Sequence, residues 1–282
     1  MQRRPAGSLG SGGLAFSLGI LGVLWAPWLP PWLALAAGLP VALLSPARIR
    51  WLLLCLLLGA GWAALEATVA CARAAGIPVI LDGKRGDIGS TAAHYGQMAF
   101  GGAPGLDDSA VDGIGATWLT ANPYLGVDGI EPMLAESDGG TAGLFVITKT
   151  SNPSSGELQD TASADGTVAD TVADLVSKWG SGRMGDCGLS DVGAVVGATY
   201  PDHARSLRER MPDTIFLVPG YGAQGGRAGD AVAGLRDDGR GVIVSSSRGI
   251  TGAWQSAGTD DVAAAARDAL DDMNRALEAA RR

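Results

Sequence analysis

Hydrophobic and polar positions divide this chain into two parts that follow different rules. Residues 5–47 carry no charged side chain, and within them the apolar runs 14–29 and 32–44 are separated by Pro30 and Pro31. A third run, 51–65, follows Arg48 and Arg50. A bilayer-spanning helix takes about 20 apolar residues, so each run is short by itself. Together they predict a proline-broken apolar helical hairpin and a third segment. Trp25, Trp28, Trp32, Trp51 and Trp62 cluster here, near the run ends where the headgroup boundary would lie. Membrane association through residues 1–61 is therefore one expectation. A secretory signal with Arg3 and Arg4 as its basic start is a second, although the apolar stretch outruns a normal signal core. A buried apolar segment, or a foreign leader ahead of a soluble domain, is the third.

From residue 62 the pattern alternates. Residues 63–75 favour a helix, with Gly76 as its stop and Pro78 just beyond. The run 79–81 is short, continuous and apolar and ends in Asp82, as a buried parallel strand does. Runs of the same kind lie at 116–120, 143–148, 192–197, 214–218 and 241–244. Val168, Val172, Leu175, Val176 and Trp179 share one helical face, and Val262, Ala266, Leu270, Met273 and Leu277 share another, with Thr259 and Asp260 as N-cap candidates. Strand and helix in alternation imply a parallel sheet, because parallel neighbours need crossovers. The length suits a TIM-type (β/α)8 barrel. A doubly wound open sheet is the other option, although no G-x-G-x-x-G opens the first helix.

Composition narrows the class. The chain has 282 residues, 47% apolar, with 43 glycines in no Gly-X-Y period, which excludes collagen and disorder. Cys55, Cys71 and Cys187 form neither a pairable framework nor a C-x-x-C. His94 and His203 lack a second ligand at metal spacing and are expected on helix surfaces. The net charge of -8 argues against a nucleic-acid partner, which requires a basic face. The charge is divided as sharply as the hydropathy: residues 1–65 hold only Arg3, Arg4, Arg48 and Arg50, and all 29 acids lie beyond. The acidic part would be solvated surface.

The candidate chemistry sits just after the strands, where parallel α/β folds build their sites. The densest cluster is Asp82-Gly83-Lys84-Arg85-Gly86-Asp87-Ile88-Gly89-Ser90-Thr91. Two acids and two bases at a strand end are costly to bury unless they compensate one another. A lysine held between carboxylates can serve as a general acid; a salt-bridged strand end and helix cap would use the same residues. Two further clusters, Pro219-Gly220-Tyr221-Gly222-Ala223-Gln224-Gly225-Gly226 and Ser245-Ser246-Ser247-Arg248-Gly249, follow the last two strand runs. Glycines let backbone N–H groups approach an anion and an arginine supplies paired donors, so the two loops together favour phosphate binding.

These residues carry a resemblance. The segment 79–92, read as Asp-x-Lys-x-x-Asp-Ile-Gly-x-Thr after an apolar strand, resembles the signature of orotidine 5'-monophosphate decarboxylases. Together with Thr150-Ser151-Asn152-Pro153, Val196-Gly197-Ala198-Thr199 and Pro219-Gly220-Tyr221-Gly222-Ala223-Gln224-Gly225, it is similar to the subgroup found in mycobacteria and many archaea, from about residue 62 to the C-terminus. The resemblance implies a TIM (β/α)8-type barrel, a cytoplasmic homodimer, and conversion of orotidine 5'-monophosphate to UMP and CO2 in pyrimidine biosynthesis without metal or cofactor. It implies that Lys84 protonates C6 of the pyrimidine, that Asp82 bears on the substrate carboxylate, and that Asp87 reaches the partner's site with Ile88 and Thr91 alongside. Ser151 would hydrogen-bond the pyrimidine, and Gln224 and Arg248 would hold the phosphate.

The front of the chain departs from that pattern. The resemblance calls for two strands before residue 79, one ending in a ribose-binding aspartate and the next in a second lysine. Residues 1–61 contain no Asp, Glu or Lys, and the lysines are Lys84, Lys149 and Lys178. The expectation is a barrel lacking its first two strands behind an apolar helical segment, with impaired turnover. The alternatives are a catalytically silent, membrane-associated or misassembled barrel remnant, or another sugar-phosphate decarboxylase. The continuation 87–91 and Ser151-Asn152-Pro153 favour the nucleotide enzyme over the latter.

Overall fold

A computed structural model describes residues 46–105, 109–137 and 142–281. The chain divides into two compact units, Met1–Ala64 and Leu65–Arg282. The apolar runs 14–29 and 32–44, and with them the hairpin expectation, lie outside the described residues. The first described element is α1, Pro46–Ala74. It stops where the sequence says it should: Gly76 takes φ +70°, its N–H reaching Arg73 O at 2.9 Å while Ile77 N–H reaches Ala72 O at 2.9 Å. This left-handed closure satisfies the last carbonyls, and Pro78 prevents resumption. Among the described residues no helix is long and apolar enough to cross a membrane.

The second unit is built on a 6-stranded parallel sheet: β1 Ile80–Arg85, β2 Trp118–Ala121, β3 Gly143–Lys149, β4 Ser190–Val196, β5 Thr214–Val218 and β6 Val242–Val244. Spatial order equals chain order throughout, and every pairing is parallel. A doubly wound sheet reverses its order at a switch point. This one never does, so it is wound in a single direction, as the wall of a barrel is. Among the described residues β1 and β6 each pair on one side only.

Alternation sorts the strand residues between two faces. Leu119, Leu144, Val146, Val192, Ala194, Phe216 and Val218 belong to the large core cluster beneath the helices. Phe145, Val195 and Leu217, with Ile80, Trp118, Ile147 and Ile215, form a second cluster on the opposite, concave face. There the Trp118 and Phe145 rings stack with centroids 4.4 Å apart. The covering helices are α2 Gly89–Ala99, α3 Val127–Ala135, α4 Val168–Gly180, α5 Pro201–Arg210 and α6 Val262–Ala280.

Helix α4 is set by a capping box between Thr167 and Asp170, and it buries Ala169, Ala173, Val176 and Gly180. Helix α6 differs from expectation by one residue. Its N-cap is Asp261, which accepts from Ala264 N at 2.9 Å, rather than Thr259 or Asp260. Of the expected face, Met273 is buried and Leu277 packs against the core, joined by Ala265, whereas Val262 and Leu270 stay exposed. Near the starts of β5 and β6, the Arg208 guanidinium stacks on Phe216 at 3.7 Å and donates to the carbonyls of Gly234, Met211, Thr214 and Gly241. Burial, and then the charge of Arg236, lowers its pKa to about 10.

Candidate active site

Asp82 and Lys84 are two apart on β1, so strand geometry places both side chains on one face. The strand bulges there: Leu81 pairs with Leu119 and Arg85 with Ala121, a longer path on β1 than on β2. Lys84 takes φ +45°, the one positive φ at a non-glycine residue among those described. Strain of this kind persists when the surroundings over-determine it, and it concentrates at functional sites. The surroundings are visible here. Thr120 Oγ1 accepts from Lys84 N–H at 2.8 Å and donates to Asp82 Oδ1 at 2.9 Å. The Lys84 ammonium reaches both Asp82 oxygens at 2.6 Å. Both side chains are open to solvent, at 55% and 62% exposure.

Beyond β1 the chain turns against the end of β2, with Asn122 N–H donating to Arg85 O at 2.7 Å. Asp87 is half-buried; its Oδ1 accepts from Ile88 N–H at 2.8 Å, and it forms no ion pair among the described residues. Ile88 is the N-cap of α2 and is exposed, and Thr91 is exposed in the first turn. The structure thus brings Asp82 and Lys84 together, while Asp87, Ile88 and Thr91 follow them into the start of α2; Ile88 and Thr91 are exposed, as are Tyr124, Leu125 and Val127 at the start of α3.

The β3 end holds the second set. Ser151 Oγ donates to Gln224 Oε1 across the mouths of β3 and β5. Two glycines make the approach possible. A Cβ on Gly197 would lie 2.8 Å from Ser151 N, and one on Gly220 would lie 2.8 Å from Ser151 Cβ. The 220–226 turn closes on itself, Gly222 N–H to Gly226 O at 2.9 Å and Gly226 N–H to Gly220 O at 3.1 Å. Arg248 sits in the short helix Ser247–Thr251, just after Ser246, whose hydroxyl lies 3.9 Å from the Cβ position of Gly222. The two glycine- and serine-rich loops are therefore neighbours. Arg248 forms no ion pair among the described residues, which leaves its guanidinium available to an anion.

Sequence reading missed Thr120, the joint between Asp82 and the Lys84 backbone; an isolated threonine inside a strand gives no signal. It also passed over Lys149, whose side chain is fully buried against Asp160. A lysine closing an apolar strand was the available clue. His94 and His203 lie on helices α2 and α5. A cavity of about 790 Å³ lies at the opposite end of the strands, lined by Trp118, Arg183, Ser190 and Asp191 among others, and none of the candidate site residues borders it.

Residues 55–267 match the family model described as orotidine 5'-phosphate decarboxylase / HUMPS family. Among curated relatives, the orotidine 5'-phosphate decarboxylase of Rhodopirellula baltica is 46% identical over 191 residues, covering 68% of this chain and 62% of that protein. That of Haloarcula marismortui is 45% identical over 200 residues, covering 71% and 65%. The chain thus spans a little under two thirds of the length of these relatives. Among solved structures, the OMP decarboxylase of Leishmania donovani superposes with a TM-score of 0.58 at 36% identity, covering 77% of this chain and 75% of that one.

Proposed function

The chain belongs to the orotidine 5'-phosphate decarboxylase / HUMPS family, and we propose that its reaction is the conversion of orotidine 5'-monophosphate to UMP and CO2. The observation that carries this reading is the Asp82–Lys84 pair, held by Thr120 on a strained strand end and open to a substrate. In the reaction the C6–carboxylate bond breaks and CO2 departs. The electron pair left on C6 takes a proton from the Lys84 ammonium, which solvent later restores. Asp82 orients that ammonium and faces the place of the substrate carboxylate. A site of this charge favours the carbanion over the carboxylate it replaces, which is differential stabilisation.

Ser151 addresses the pyrimidine, and Gln224 and Arg248 the phosphate. The free guanidinium and the adjoining glycine turn support that assignment. A homodimer completes the site, Asp87 entering the partner's array with Ile88 and Thr91 beside it; the exposed apolar rim of Ile88, Tyr124, Leu125 and Val127 supports burial against a second copy. The single-direction winding supports a (β/α)8-type barrel of which residues 62–282 form the decarboxylase domain. Residues 1–61 hold no Asp, Glu or Lys, so they supply neither a ribose-binding carboxylate nor a second lysine, and turnover is reduced accordingly.

The test is loss of orotidine 5'-monophosphate absorbance with purified chain, with Lys84→Ala as the blank. Turnover above the blank supports the assignment. Absence of turnover together with absence of 6-azauridine 5'-monophosphate binding sinks it.

A further inference from the structure

Lys149 is the one fully buried charged side chain among the described residues, and the reaction above makes no use of it. It closes β3, next but one before Ser151. Its ammonium meets Asp160 Oδ1 at 2.6 Å and lies 4.7 Å from the centre of the Tyr200 ring. Its backbone carbonyl accepts from Gly197 N–H at 2.8 Å, which ties β3 to the end of β4.

The next residue repeats the arrangement. Thr150 N–H donates to Gln159 Oε1 at 2.9 Å, and Gln159 Nε2 donates back to Thr150 Oγ1 at 2.8 Å. Thr150 Oγ1 then reaches Asn152 Oδ1 at 2.6 Å, and Thr199 Oγ1 donates to Ser151 O at 3.4 Å. Adjacent residues Gln159 and Asp160 thus grip adjacent residues Thr150 and Lys149, and the next side chain along is Ser151 against Gln224.

We infer that Lys149 is a positioning residue: its buried ion pair with Asp160 fixes the register of the β3 end and so sets where the Ser151 hydroxyl stands relative to Gln224. A buried charge is intolerant of losing its partner, so the pair resists rearrangement of the strand end more strongly than a neutral contact would. The hydroxyl, not the ammonium, meets the ligand. The inference rests on the reading of Ser151 as the base-recognising residue, and its test separates the two.

The experiment uses the full chain with Lys149→Met, which keeps the stem without the charge, and Asp160→Asn, which keeps size and an acceptor. Amide hydrogen exchange is expected to accelerate about tenfold over residues 150–155 and 220–226 in Lys149→Met, less in Asp160→Asn, with α6 unchanged in both. In parallel, the ratio of UMP to ribose 5-phosphate affinity is expected to fall about tenfold in Lys149→Met and equally in Ser151→Ala, because one well-placed polar contact to the base is lost in each. General loosening would weaken both ligands and preserve the ratio, and that outcome overturns the inference. So does exchange that is unchanged in both variants. If the wild-type chain shows no preference for UMP, the reading of Ser151 fails and the exchange data alone decide whether Lys149 positions the loop.

Discussion

Two lysine–aspartate pairs stand at the strand ends of this sheet with the same bond, 2.6 Å from ammonium to carboxylate. Their surroundings differ completely. Lys84 and Asp82 lie two residues apart on β1, more than half exposed on a strand that pairs on one side among the described residues. Lys149 lies on the interior strand β3 with no exposure, and its partner Asp160 comes from a following turn. An exposed pair is worth only about 0–1 kcal/mol, so a substrate can rearrange it at little cost. A buried charge held by one partner cannot be disturbed without a large penalty. The first pair is suited to chemistry and the second to holding chemistry in place. Distance alone would have ranked them equal.

The sharpest way to break this contrast is to remove each lysine function separately and read activity against stability. Lys84→Ala is expected to reduce decarboxylation by about 10²–10⁴-fold, the range for a lost proton donor in the transition state. The melting temperature should move little, since the ion pair lost is solvent-exposed and worth only about 0–1 kcal/mol. Calorimetry alongside the absorbance assay checks both halves, and a large loss of stability would mean that Lys84 is structural after all.

The buried pair should show the reverse. Asp160→Ala strands the Lys149 charge without exposure and is expected to cost about 3 kcal/mol, as broken buried pairs do. Lys149→Met leaves Asp160 behind, but that carboxylate is 39% exposed and can be hydrated; the cost should be about half as large. Urea midpoints of the two variants decide the order. Equal losses would mean that burial is not what distinguishes this pair.

Much of this arrangement was legible beforehand, and the part that was not has a common cause. The six strands fall where continuous apolar runs predicted them, because a strand covered on both faces has little room for polar residues. Asp82 and Lys84, which the structure brings together, stand in one short charged stretch, whereas Ser151 and Gln224, also in contact, lie far apart in the chain and were paired with a ligand only through the family resemblance. Winding direction followed from the family resemblance and not from periodicity, which is the same in a singly wound and a doubly wound sheet; the strand order separates them. Thr120 and the Lys149–Asp160 pair were hidden because each acts through a residue distant in the chain or in environment. The N-cap of α6 fell on Asp261, one residue beyond the candidates, because three successive polar residues, Thr259, Asp260 and Asp261, offer nearly equivalent caps.

A third aspartate lies between the two extremes. Asp170 closes the α4 capping box and meets Arg210 at 3.2 Å. Burial pushes its carboxyl up, but hydrogen bonds from the Thr167 backbone and hydroxyl, with the charges of Arg210 and His203, outweigh it and leave the group below its ordinary value. A depressed folded-state pKa contributes stability above the unfolded value of 3.8 that is lost as pH falls through the folded one. Asp170→Asn should therefore flatten the acid limb of the stability curve below about pH 4 and cost about 1 kcal/mol at neutral pH. Thermal melts across that range test the sign; an unchanged acid limb would show that the cap works without its charge.

The smallest effect separates the two lysine pairs without removing either lysine. Raising salt from about 0.1 M to 1 M shortens the screening length from about 10 Å to 3 Å, and screening reaches charges in proportion to their contact with water. The stability difference between wild type and Asp82→Asn, under about 1 kcal/mol at low salt, should vanish at high salt, because both members of that pair are solvated. The difference between wild type and Asp160→Ala should persist, because the ammonium it strands is out of reach of the added ions. Paired denaturant titrations at the two salt concentrations measure this. If both differences fade together, the Lys149 site is wetter than its burial indicates and the two pairs differ only in degree.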